Sequence, residues 1–93
     1  MNSGNIIFRV HAIQRMFERR INDEDVMQVI QTGETIENYP DDKPYPSRLV
    51  LGWSKSRPLH VVIADNKEDD KIIVITVYEP DPSRWNADFR SRK

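Results

Sequence analysis

Ninety-three residues, 38% hydrophobic and 31% charged, make a single domain over 1–93 with one core; the composition is not that of a disordered chain. The absence of cysteine excludes disulfides, thiolate metal sites and a cysteine nucleophile, and favours the cytoplasm, because small secreted domains usually need such staples. A net charge of −1 argues against a protein coated in positive charge; no apolar run is long enough to span a bilayer, and no basic-then-apolar leader is present.

Residues 1–5 read as a flexible tail. Residues 6–10 are short and apolar, a small strand or an extended arm. Residues 11–20 form the first predicted helix. Ile13, Met16 and Phe17 follow the i, i+3, i+4 spacing and are expected to be its buried stripe. His11, Arg15 and Arg19 recur every four residues and share a different face. Asn22 is a good N-cap for a second helix. Asp23, Glu24 and Asp25 sit in its first turn, Asp25 at capping-box spacing. Val26, Val29 and Ile30 give this helix its apolar stripe, and Gly33 is the expected residue after its end.

Strands are predicted over 35–39, 49–53, 59–64 and 71–79, with a proline-rich loop at 40–46 and a bulge at Gly52. Pro80 and Pro82 end the last strand, and Ser83 is placed to cap a final helical turn through Phe89. The expected fold is α+β: two N-terminal helices packed on a three- to four-stranded antiparallel sheet, with a short C-terminal helical turn. A hairpin loop near Glu68 sets Ile63 against Ile73, Val61 against Ile75 and Leu59 against Val77 as one apolar face. The other face then carries His60 opposite Thr76 and Pro58 opposite Tyr78, and it is expected to be partly open.

Charge is unevenly spread. Arg9, Arg15, Arg19 and Arg20 cluster near the start, and Arg84, Arg90, Arg92 and Lys93 at the end. If the ends meet, they make a local basic patch, and arginine suits bidentate recognition of phosphate. His11 and Arg15, one helical turn apart, can address one phosphate. His60, with Thr76 and Tyr78, is either an acid–base group on an open sheet face or a histidine bonded to threonine across strands. Ordinary surface salt bridging is the plain alternative for the arginines. Two histidines without cysteine give no expected metal site, and no glycine-rich phosphate loop is present, so no cofactor is expected.

The segments "HAIQRMFERRI" at 11–21, "DVMQVIQTGETIENYPDDKPYPS" at 25–47, "LGWSKSRPLHVV" at 51–62 and "IVITVYEPDPSRWNADFRSRK" at 73–93 resemble the bacterial family called domain of unknown function 4258. That family is in turn similar to RelE- and BrnT-type toxins, small endoribonucleases with helices on an antiparallel sheet. The resemblance implies one partner of a toxin–antitoxin pair, the antitoxin being a separate zinc-finger protein that holds the metal. Two functions follow as expectations. One is a metal-independent endoribonuclease with His11, Arg15, His60 and Tyr78 as catalytic residues and Arg19, Arg20 and Arg90 on the RNA phosphate. The other is a non-catalytic module whose basic face docks an acidic protein.

Overall fold

The computed structural model describes residues 5–93. The tail expected over 1–5 lies outside the described residues except for Asn5. The chain runs β1 (Ile6–Phe8), α1 (Val10–Glu18), α2 (Asp23–Thr32), β2 (Glu34–Tyr39), β3 (Ser47–Ser54), β4 (Arg57–Asn66) and β5 (Lys71–Tyr78). The strands form one sheet in the order β1-β5-β4-β3-β2. β2 to β5 make an antiparallel meander, and β1 pairs with β5 in parallel. This corrects the expected three- to four-stranded antiparallel sheet to a five-stranded mixed one. The extra strand has three residues, too few to show a period, and its pairing partner lies at the far end of the sequence.

Local chemistry sets α2 closely. The Asn22 side chain accepts from the Asp25 amide at 2.8 Å, and the Asp25 carboxylate accepts from the Asn22 amide at 3.0 Å. This is the reciprocal capping box expected from the sequence. The Ser54 hydroxyl also donates to Asp25, tying the helix start to the end of β3 and holding that carboxyl below its ordinary range. Gly33 ends the helix, but in extended backbone rather than the left-handed region. Glycine is needed there for close approach: a Cβ would stand 2.5 Å from the Val29 carbonyl oxygen and 2.6 Å from that of Leu51. Gly52 is likewise a contact rather than a bulge. β3 and β4 stay in register past it, and a Cβ there would meet the Val29 side chain at 2.8 Å.

The core lies between the helices and one sheet face. Ala12, Met16, Ile21, Val26, Val29, Val50, Leu59, Val61, Ile63, Val74 and Val77 form it, with Ile6 and, partly buried, Ile30. Two expectations are corrected. Helix α1 buries Ala12 and Met16, while Ile13 and Phe17 face solvent. The sequence offers two apolar stripes about 100° apart around the helix, and the smaller pair packs on the sheet. The second correction is the last hairpin. Val61 pairs with Val77 and Ile63 with Val74, leaving Ile75 unpaired as a bulge. The hairpin turn is one residue off the expected register, which already sets Val74 rather than Ile73 opposite Ile63, and the extra residue adds a second shift, so that Val77 rather than Ile75 faces the helices with it. Together the two shifts set His60 opposite Tyr78 instead of Thr76.

The far face of the sheet is covered. No C-terminal helix forms among the described residues; residues 81–93 make a closed loop. The Asp81 carboxylate, not Ser83, caps its first turn by accepting from the Ser83 amide and hydroxyl. A bridge between Trp85 and Arg92 closes the loop, and Lys93 N donates to the Arg84 carbonyl at 2.9 Å. The proline pair at 80 and 82 stops the strand, as expected. The chain then folds back over the sheet instead of starting a helix, and buries Trp85 with Leu49, Leu51 and His60 outside the helix-side core.

Candidate active site

Alternation along β4 puts Leu59, Val61 and Ile63 in the helix-side core, so His60 points to the opposite face. There it is fully buried. The Trp85 ring stands edge-on to it at 4.4 Å and the Tyr78 ring at 5.2 Å. Its Nε2 lies 2.9 Å from the Phe89 carbonyl oxygen, which can only accept, so Nε2 carries the hydrogen. Burial pushes the imidazole below its ordinary pKa and keeps it neutral. Nδ1 is then a lone pair, and it accepts from the Tyr78 hydroxyl at 3.2 Å. Burial in turn pushes the Tyr78 phenol up.

A second polar pair lies nearby on β2. Tyr39 donates to the Glu37 carboxylate at 2.5 Å, which lowers that carboxyl, and the Arg92 guanidinium donates to it at 3.3 and 3.4 Å. Burial and the Glu37 charge push Tyr39 up to about 12. Arg92 also lies 4.7 Å over the Trp85 ring. The tail is thus held to the sheet by the aromatic contacts of Trp85 and Phe89, the ion pairs of Arg90 and Arg92 with β2, and the His60 bond to the Phe89 carbonyl.

Beside this cluster opens a cleft of about 310 Å³ lined by Arg19, Tyr78, Glu79, Asp81, Arg84, Trp85 and Arg92. Arg19 is delivered from the end of α1. Arg57 on β4 fixes that end: its guanidinium donates to the Arg19 and Arg20 carbonyls at 3.0 Å each and to the Glu79 carboxylate at 2.9 Å. Both acids in the cleft therefore have partners, Glu79 with Arg57 and Asp81 with Ser83. Among the described residues Arg19 and Arg84 have no ion pair. Opposite-end arginines thus converge, with a phenol between them whose proton is bonded inward to a neutral histidine.

The other sequence-predicted residues lie elsewhere. His11 and Arg15 are exposed on α1, on the helix side of the sheet from His60, and Arg15 faces Glu18 at 3.9 Å. Arg20 sits at φ 56 just beyond the helix and does not line the cleft. Arg90 pairs with Glu34 at 2.7 Å, at the β2 edge of the sheet. The sequence reading gave no role to Trp85 or Glu37, and it noted Arg92 and Arg57 only as nearby cations. The "PSRW" segment held the only signal for them: a tryptophan between arginines after two prolines marks an ordered return, not a fraying end.

Among the described residues no group of three or more His, Asp and Glu is placed to hold a metal ion, and no helix is long and apolar enough to cross a membrane. The family model described as domain of unknown function (DUF4258) matches residues 8–79, and the chain belongs to that family. No curated protein and no solved structure matches the chain.

Proposed function

We propose that this DUF4258 member is a metal-independent endoribonuclease, the toxin of a toxin–antitoxin pair, and that it seats the scissile phosphodiester in the cleft of Arg19, Arg84 and Arg92. The observation that carries the reading is Tyr78, which lines this cleft and whose hydroxyl is bonded to a neutral, buried His60. In the reaction the Tyr78 oxygen takes the ribose 2′-hydroxyl proton while its own proton passes to His60 Nδ1. The 2′ oxygen attacks phosphorus and the bond to the 5′ oxygen breaks. The leaving oxygen takes a proton from water. The products are a 2′,3′-cyclic phosphate and a 5′-hydroxyl, and His60 returns its proton to solvent through Tyr78. The arginines stabilise the charge that builds on phosphorus, in a site where Trp85 excludes water from behind. His11 and Arg15, on the other side of the sheet, take no part in this scheme, and His60 acts through Tyr78 instead of touching RNA.

The cleft and the arginine at the opposite edge are separable by mutation. Arg84→Ala should weaken binding of a short single-stranded RNA about ten- to a hundredfold, the size of a lost charge-assisted hydrogen bond of about 1.5–3 kcal/mol. Arg90→Ala, outside the cleft, should leave it within about twofold. Equal losses from both would mean that RNA sees only diffuse charge, and the cleft would lose its role.

A further inference from the structure

A second cavity, of about 560 Å³, opens between the tip of the tail, the start of β2 and the end of β3. Glu34, Trp53, Asp88 and Arg90 line it. Its volume is that of a small-molecule site. The Trp53 indole is 48% exposed there, although Leu51, two residues before it, is buried. The Phe89 ring stands against the indole at 6.1 Å and 65°, which fixes one side of it and leaves a flat apolar surface in the cavity. A planar ring is the natural occupant of such a surface.

The charges in the wall say which ring fits. Glu34 is taken up by the Arg90 guanidinium at 2.7 Å. Asp88 accepts from the Arg90 amide at 3.0 Å, and among the described residues it has no ion pair. Its carboxylate only accepts, and it has lone pairs to spare. Guanine presents two adjacent donors on one edge, N1–H and the N2 amino group. Adenine and cytosine set one amino donor beside an acceptor nitrogen, and uracil sets one N–H between two carbonyls, so a carboxylate meets an acceptor on each of them. We propose that the Trp53–Asp88 cavity is a guanine subsite, where the base stacks on the indole and donates from N1 and N2 to the Asp88 carboxylate. The ligand class rests on the RNA reading, and the register agrees with it. Tyr78 pairs with His60 and His60 with Leu51, so Tyr78 in the cleft and Leu51 in this cavity stand two strand spacings apart, about 10 Å. A nucleotide with its phosphate in the cleft can reach the cavity with a base.

Titration of the full chain with the four nucleoside 5′-monophosphates, followed by the Trp53 indole N–H and the backbone amides in NMR spectra, tests this without cleavage. The phosphate is common to all four, so differences between them report the base. The guanine nucleotide should shift the Trp53 indole and the Asp88 amide, and bind about five- to tenfold tighter than the other three. Asp88→Asn should erase that preference and leave the thermal midpoint in place, because the amide oxygen still accepts from the Arg90 amide. Trp53→Leu should weaken the guanine nucleotide about tenfold. Equal shifts from all four nucleotides, no shift at Trp53, or an unchanged preference in Asp88→Asn would each overturn the proposal. So would arginine methyl ester binding at Trp53 as tightly as the guanine nucleotide, because the cavity would then take a cationic side chain of a protein. Selective guanine binding by a chain that cuts no RNA would uphold the subsite and remove the chemistry from the cleft; RNA cleavage with no Trp53 shift would do the reverse.

Discussion

Replacing Trp85 with alanine should lower the unfolding free energy by about 3–5 kcal/mol, the usual cost of removing a buried aromatic side chain. Trp85 is only 3% exposed, although it sits in a loop with no regular secondary structure. It packs on His60, carries Arg92 on its other side and forms the bridge that closes the tail. Its loss would open a cavity over the sheet and let water reach His60, Leu49 and Leu51. Against a total stability of about 5–15 kcal/mol for a domain, that is a large fraction. Trp85→Phe keeps most of the packing and should cost clearly less. Urea unfolding followed by circular dichroism gives both numbers. An unchanged midpoint in Trp85→Ala would mean that the tail does not pack on the sheet.

The same residues show where sequence reasoning stopped. The capping box of Asn22 and Asp25 was legible because its partners are three residues apart and its chemistry is local. The meander from β2 to β5 was legible for the same reason: short turns between β-rich runs. The faces of α1 were not, because periodicity finds apolar stripes without saying which one meets the sheet, and the larger pair was the natural choice. The bulge at Ile75 was invisible, since one unpaired residue changes no composition. Together with a turn register displaced by one residue, it decides that His60 meets Tyr78. Of the candidate residues, His60 and Tyr78 are bonded to each other, and Tyr78 and Arg19 line one cleft. Arg15 and Arg90 do not, because clustering in sequence does not fix which side of a sheet a residue reaches. The sequence places Arg57 at a strand end but not its role: it caps a helix 37 residues away through backbone carbonyls, which any sequence supplies.

Tyr78→Phe should lower RNA cleavage by about 10²–10⁴-fold, equivalent to about 3–5 kcal/mol of barrier. Phenylalanine keeps the ring edge against His60 and removes only the hydroxyl bonded to it. It leaves His60 Nδ1 without a donor, which should cost about 1–3 kcal/mol of stability. The assay therefore belongs well below the midpoint of the variant, where the chain is folded and the lost rate reports chemistry. RNA affinity should change little, since the arginines remain. His60→Ala is the less informative variant. His60 is fully buried, so its removal leaves a cavity and orphans the Phe89 carbonyl together with the Tyr78 hydroxyl. A Tyr78→Phe chain that cleaves at the wild-type rate would remove the phenol from the chemistry.

The central claim is that the cleft between the chain ends cuts RNA without a metal. Its most direct test is incubation of the purified wild-type chain with single-stranded RNA in excess EDTA, followed by analysis of the product ends. Cleavage should proceed undiminished in EDTA, leave 2′,3′-cyclic phosphate and 5′-hydroxyl termini, and be lost in Tyr78→Phe. Intact RNA after prolonged incubation with well-folded protein would contradict the claim.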